Sequence, residues 1–155
     1  MLHTLRPEQF WGKGVEGLFP AGSSEKTVAP WPQPAHLKHL GDYDRELVRQ
    51  TLIRPPQLQE IDPRELRRMQ PSVTRGGVEH YTTDEYHRTG RTYESGERRG
   101  NEYPFIYQRD PNPINPDSGI ENLILAGHHR SAAALVQGKP LRAIIVRGPW
   151  GESSR

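Results

Sequence analysis

Residues 122–147 read Asn-Leu-Ile-Leu-Ala-Gly-His-His-Arg-Ser-Ala-Ala-Ala-Leu-Val-Gln-Gly-Lys-Pro-Leu-Arg-Ala-Ile-Ile-Val-Arg. A short apolar run, a polar turn, an Ala-rich segment and a second apolar run follow one another without interruption, and that order decides the fold. Residues 122–126 are apolar, partly branched and few, which predicts a buried strand. Gly127 lets the chain turn. Residues 131–137 supply two helical turns of good propensity, and Gly138 with Pro140 provides the stop. Residues 141–147 form the second strand. Its Ala143, Ile144, Ile145 and Val146 run without alternation, so both faces are expected to be covered. The imidazoles of His128 and His129 and the guanidinium of Arg130 then fall at the positive end of a helix dipole, on a loop held between two strands. That arrangement suits an anion.

The stretch 123–135, with Gly-Lys-Pro-Leu-Arg-Ala-Ile-Ile-Val at 138–146, resembles the ParB/sulfiredoxin (ParB-like nuclease domain) superfamily. In that superfamily a glycine followed by a basic turn opens a helix and contacts nucleotide phosphates. Upstream, Ile61-Asp62-Pro63 and the run Gln70-Pro71-Ser72-Val73-Thr74-Arg75-Gly76-Gly77-Val78 are more loosely similar to the family's opening strand and helix. The likeness covers residues 58–147, and its specific motif is residues 127–135. It implies an α+β fold, a small mixed sheet with short helices. It also implies an anion site made by Gly127, His128, His129, Arg130 and Ser131, whose ligand would be a nucleotide or nucleic-acid phosphate. A nucleoside triphosphate with Mg2+ is the cofactor the family suggests, and a phage or plasmid protein is the setting.

Departures from the family narrow this. Sulfiredoxin-like enzymes carry Gly-Cys-His-Arg at the turn; here His128 replaces the cysteine, and the chain has none. Thiolate chemistry is therefore excluded. Partition proteins read Gly-Glu-Arg-Arg, followed by a second nucleotide motif and a helix-turn-helix domain. The sequence after Val146 is short, so no DNA-reading module of that kind is expected. Gly96-Glu97-Arg98-Arg99 spells the partition turn, but no apolar strand precedes it. It reads as a solvated loop.

Hydrophobic residues make up 32% of the 155, with 15 glycines and 15 prolines. That fraction is low for a globular domain, so part of the chain is expected to lie outside the core. Residues 1–40 read as an extended Pro/Gly-rich arm before a domain at 41–155. Gly12, Gly14 and Gly17 break helical periodicity, and Pro30-Trp31-Pro32-Gln33-Pro34 favours polyproline II. Phe10, Trp11, Phe19 and Trp31 punctuate this arm and would pack on the domain or dock on a protein partner. Helices are expected at 42–53 and at 62–69, the latter capped by Asp62 with Pro63 first. Residues 76–100 show no sustained period. Tyrosines and histidines there, including His80 and His87, form a polar insertion able to pass over the basic turn.

The net charge is +2. Arg64, Arg67, Arg68 and Arg75, then Arg88, Arg91, Arg98 and Arg99, alternate with acids, so a solvated mixed-charge surface competes with phosphate binding. No signal peptide or apolar span is present, and a cytoplasmic protein without membrane contact is expected. A metal at His128 and His129 would need further ligands such as His80 or His87, and no metal is assigned. Acid–base use of these histidines would need an orienting carboxylate, Glu121 or Asp117. No paired carboxylates, nucleophile elbow or P-loop occurs, so no catalytic set is named. Within the turn, Arg130 is the strongest anion ligand because its fork matches phosphate; Lys139 and Arg142 are weaker candidates. Two functions stay open: a ParB-like module binding nucleotide or nucleic acid at the turn, or a non-enzymatic assembly protein, such as a virion component, that docks through its aromatic arm.

Overall fold

The computed structural model describes residues 5–20, 25–34, 57–89, 91, 93 and 103–148. The expected helix at 42–53 and the Gly96–Arg99 loop lie outside them. Within them the chain is α+β. Strands are β1 (Lys26–Val28), β2 (Gln57–Ile61), β3 (Leu66–Arg67), β4 (Ser72–Thr74), β5 (Phe105–Arg109), β6 (Glu121–Ala126) and β7 (Leu141–Gly148). Helices are α1 (Gly14–Leu18), α2 (Arg75–His80), α3 (Asp84–Thr89) and α4 (His128–Gln137). A mixed sheet runs in the order β2-β7-β5-β6-β3, and β1 pairs with β4 in a separate two-stranded ribbon.

Both strands read from residues 122–147 are interior to this sheet. β7 is antiparallel to β2 and parallel to β5, which places Ile145 beside Ile106 and Val146 beside Tyr107. One face carries Ile106, Ile124, Leu141 and Ala143 against Ala132, Leu135 and Val136 of α4. On the other face Tyr107, Leu123 and Val146 form a second cluster. The unbroken apolar run of β7 is thus buried on two sides, as its lack of alternation requires. Beside that second cluster the side chains of Arg109 and Glu121, across β5 and β6, make a fully buried ion pair. Such a pair contributes little net stability intact, but removing one member strands a charge in the interior.

The N-terminal residues depart from the expected extended arm. Pro7–Phe10 form a 3-10 turn, α1 follows, and β1 completes the ribbon with β4. Phe19 and Trp31 are wholly buried, and the Trp31 indole N–H donates to Pro63 O at 2.8 Å. Gly12 and Gly14 serve as hinges with positive φ of 69° and 74° rather than as breakers of all structure. At the first hinge, Gly12 N–H reaches Leu135 O at 3.0 Å, tying the segment to the end of α4. Each fully buried aromatic contributes roughly 2–3 kcal/mol by removal from water. That burial offsets the entropy of ordering a Gly-rich segment.

One arginine cluster explains how the segment is clamped. Arg64 stacks 4.1 Å from the Trp11 ring centre while pairing with Asp62. Arg68 Nε donates to Trp31 O at 3.1 Å, and Arg67 reaches Gln33 O at 3.3 Å. Arg75 donates to Phe19 O and pairs with Glu16 and Glu79. These four cations are spent on the fold.

Two further expectations change. The helix expected at 62–69 shrinks to a 3-10 turn at Pro63–Glu65, with Asp62 accepting from Arg64 N at 2.9 Å. Leu66 and Arg67 instead pair in parallel with Asn122 and Leu123, and Leu66 is buried, so sheet pairing overrides helical propensity. The supposedly aperiodic stretch after Gly76 contains most of α2 and all of α3. Thr74 Oγ1 caps α2 by accepting from Gly77 N, and Thr83 Oγ1 accepts from Tyr86 N at the start of α3. Asp84 and Glu85 open α3 while His87 and Arg88 close it, complementing its dipole.

Candidate functional site

Gly127 ends β6 in the left-handed region, φ 97° and ψ 34°, and α4 begins at the next residue rather than at Ser131. A side chain at 127 would be strained, and its Cβ would meet Pro104 Cβ at 2.7 Å. Ser131 closes the first helical turn: its N–H and its Oγ both donate to Gly127 O, at 2.9 and 2.8 Å. His128, His129 and Arg130 are therefore the first three helical residues, and each projects differently.

The two imidazoles turn inward. His128 is buried, and its Nε2 accepts from the backbone N–H groups of Met69 and Gln70, both at 3.1 Å. Burial is the main reason its pKa falls from 6.5 to about 4, and the nearby His129 and Arg68 push it the same way. The ring stands edge-on to Trp31, 6.4 Å between centres. His129 Nε2 accepts from Thr74 N at 3.1 Å and lies 3.3 Å from Thr74 Oγ1. Its ring fills the space beside Gly77, where an added Cβ would come within 2.4 Å of His129 Cδ2. With both Nε2 atoms accepting backbone protons, the histidines join α4 to the chain just before β4 and to the last residue of β4. Glu121 and Asp117, the carboxylates expected to orient them, sit elsewhere: Glu121 holds Arg109, and Asp117 lies in an exposed 3-10 turn. Among the described residues, no group of three or more His, Cys, Asp or Glu is placed to hold a metal.

Arg130 points the other way, into a cleft of about 290 Å³. Its guanidinium carbon lies 5.3 Å from the Tyr81 ring centre and 6.0 Å from that of Tyr86, within cation–π range. Arg130, Ala133, Ala134 and Gln137 form the floor, one helical stripe of spacing three and four. The alanines keep this floor low. Tyr81, Tyr86 and His87 from the end of α2 and from α3 line it, as do Lys139, Pro140, Leu141 and Arg142 that follow α4. Tyr103 and Pro104 also line it. No described residue lining the cleft is acidic.

The chain matches no protein-family model, no curated protein and no solved structure. Site chemistry alone therefore bears on function.

The turn, Lys139 and Arg142 are sequence candidates, and the structure lines one cleft with Arg130 from the first turn of α4, Lys139 from the α4–β7 connection and Arg142 from β7. A Schellman motif sets that connection: Gly138 N–H bonds to Leu135 O and Lys139 N–H to Ala134 O, both at 3.1 Å. Gly138 takes φ 66°, the left-handed conformation that ends the helix before Lys139. Thr74, Gly77 and the Met69–Gln70 amides were not legible as histidine partners, since they lie 52 to 59 residues away. The tyrosine wall had a signal in the aromatic content of residues 81–107, though nothing in sequence fixed which rings meet Arg130. No described helix is long and apolar enough to cross a membrane.

Proposed function

We propose that this domain binds a phosphate-bearing ligand, a nucleotide or a nucleic-acid backbone, in the cleft beside α4. The observation that carries the reading is the joint placement of Arg130, Lys139 and Arg142 with tyrosines in one cleft that no described acidic residue lines. Arg130 supplies a planar fork for phosphate, and Lys139 and Arg142 add charge along the same cleft. The start of α4 adds a favourable potential nearby. His128 and His129 serve this site indirectly, by fixing the helix that carries Arg130. The resemblance of residues 127–135 to the ParB/sulfiredoxin superfamily adds the expectation of a nucleotide; the cleft's chemistry supports the broader class without it. The alternative, docking on other proteins through an aromatic arm, relied on Phe10, Trp11, Phe19 and Trp31. Those rings pack on this chain's own core, so nothing in the described residues favours it.

Thermal unfolding with CTP, ATP, ADP and a short DNA, each with and without magnesium, tests the proposal. A ligand at a hundred times its Kd stabilises by about 2.7 kcal/mol. The expected outcome is a rise in Tm for the wild type that is lost in Arg130→Ala. No shift with any of these ligands, or an equal shift in the variant, overturns it.

A further inference from the structure

Resting on the reading above, we infer that the preferred ligand is single-stranded nucleic acid, one base entering the tyrosine-lined cleft while the backbone runs along α4. Small-molecule sites usually offer about 300–1,000 Å³ and enclose their ligand. This cleft holds about 290 Å³. At the small end of that range, it suits one flat unit of a chain whose remainder lies outside the cleft.

The cations are spread in the manner a strand requires. Arg130 lies in the first turn of α4 and Lys139 just beyond its last, at opposite ends of a ten-residue helix. At 1.5 Å per residue that helix is ~15 Å long. Successive phosphates of one strand can meet both ends, whereas the three linked phosphates of one nucleotide are concentrated at one. The walls add stacking surface. That surface comes from Tyr86 and Tyr103, both half-buried along the cleft, while the buried Tyr81 behind Arg130 holds Tyr86 edge to face, 4.7 Å between centres. Aromatic rings beside cations recognise unpaired bases of any sequence, because every base offers a π-face. A duplex keeps its bases stacked inside and cannot use those rings.

Fluorescence anisotropy with a labelled ten-nucleotide oligo(dT) on the full chain tests this, with the corresponding duplex, and ATP and CTP as competitors. The single strand is expected to bind at least tenfold more tightly than duplex or nucleotide. Tyr103→Leu should weaken it by about 5- to 150-fold, the range for losing one base–aromatic stack, and Tyr103→Phe should restore it. Gln137→Glu, an exposed change on the cleft floor, should weaken oligonucleotide binding with Tm unchanged, which keeps the test open if Tyr103→Leu unfolds. Lys139→Gln should reduce the slope of log K against log salt by about 0.7, one phosphate's share. Binding of nucleotides with no preference for the oligonucleotide overturns this inference and leaves the broader phosphate reading standing. Duplex binding as tight as single-strand binding overturns it in the same way. No binding of any polyanion overturns both.

Discussion

The inward and outward sides of the first turn of α4 use the same kind of residue for opposite ends. Inward, His128 and His129 are aromatic bases held as hydrogen-bond acceptors, packed on Trp31, Thr74 and Gly77. Outward, Arg130 is a permanent cation laid over tyrosine rings at the edge of a cleft. Three adjacent residues of similar basic character thus divide into a tether and a site. The same division separates the arginines: Arg64, Arg68 and Arg75 bind main-chain carbonyls, rings or carboxylates of the N-terminal half. Basic composition is therefore a poor guide to ligand contact, and direction decides.

Substitution on the inward side should unfold the protein, and substitution on the outward side should spare it. The largest effect is expected for Trp31→Ala, which empties a fully buried site and orphans Pro63 O. A loss of about 3–5 kcal/mol in urea denaturation is expected; a loss below about 1 kcal/mol would mean that the N-terminal segment is not part of the core.

Acidification comes next. The unfolded chain protonates His128 near pH 6.5, whereas the folded chain resists until about pH 4, so the folded state binds fewer protons between these values. Stability from this group is complete above pH 6.5 and is lost as pH falls towards 4, on the order of 3 kcal/mol in all. Denaturation curves across that window should show the slope in the wild type and a flatter profile in His128→Gln. Identical profiles would place the imidazole outside the tether.

Gly77→Ala probes the same side through a neighbour. The new Cβ displaces the His129 ring and with it the acceptor for Thr74 N. About 1–3 kcal/mol is expected from overpacking and a weakened hydrogen bond, read as a lower Tm with ligand affinity retained in the folded fraction. The smallest stability effect is expected for Arg130→Ala, whose lost cation–π contacts with Tyr81 and Tyr86 account for about 1 kcal/mol, with a total cost below that of Gly77→Ala. Its phosphate binding should nevertheless vanish. A Tm drop as large as that of Gly77→Ala would dissolve the contrast between the two sides.

Sequence and structure agree where information is local. The runs at 122–126 and 141–147 have the length and lack of alternation of buried strands, and Gly127 and Gly138 both take the left-handed conformations that a turn and a helix stop demand. What local pattern could not show was the partner of each polar side chain. His128 meets amides 58 and 59 residues away, and Arg67, Arg68 and Arg75 meet carbonyls and a carboxylate contributed by residues 16–33. The helical look of residues 62–69 failed for a related reason: Leu66 and Arg67 gain more from the edge of β6 than from their own turn. In the cleft, Arg130 was legible as an anion ligand by its chemistry, but its tyrosine wall depends on how α2 and α3 fold back.

The position of β7 has a consequence for how the chain is made. This strand lies between β2 and β5, and Gln57 finds its partner only in Ile145. Until residues 141–148 have left the ribosome, β2 has no neighbour in the sheet and the β5–β6 pair exposes one open edge. A nascent chain that has released β6 but not β7 therefore holds an incomplete sheet with an adhesive edge, and closing it depends on the long-range pairing of β7 with β2.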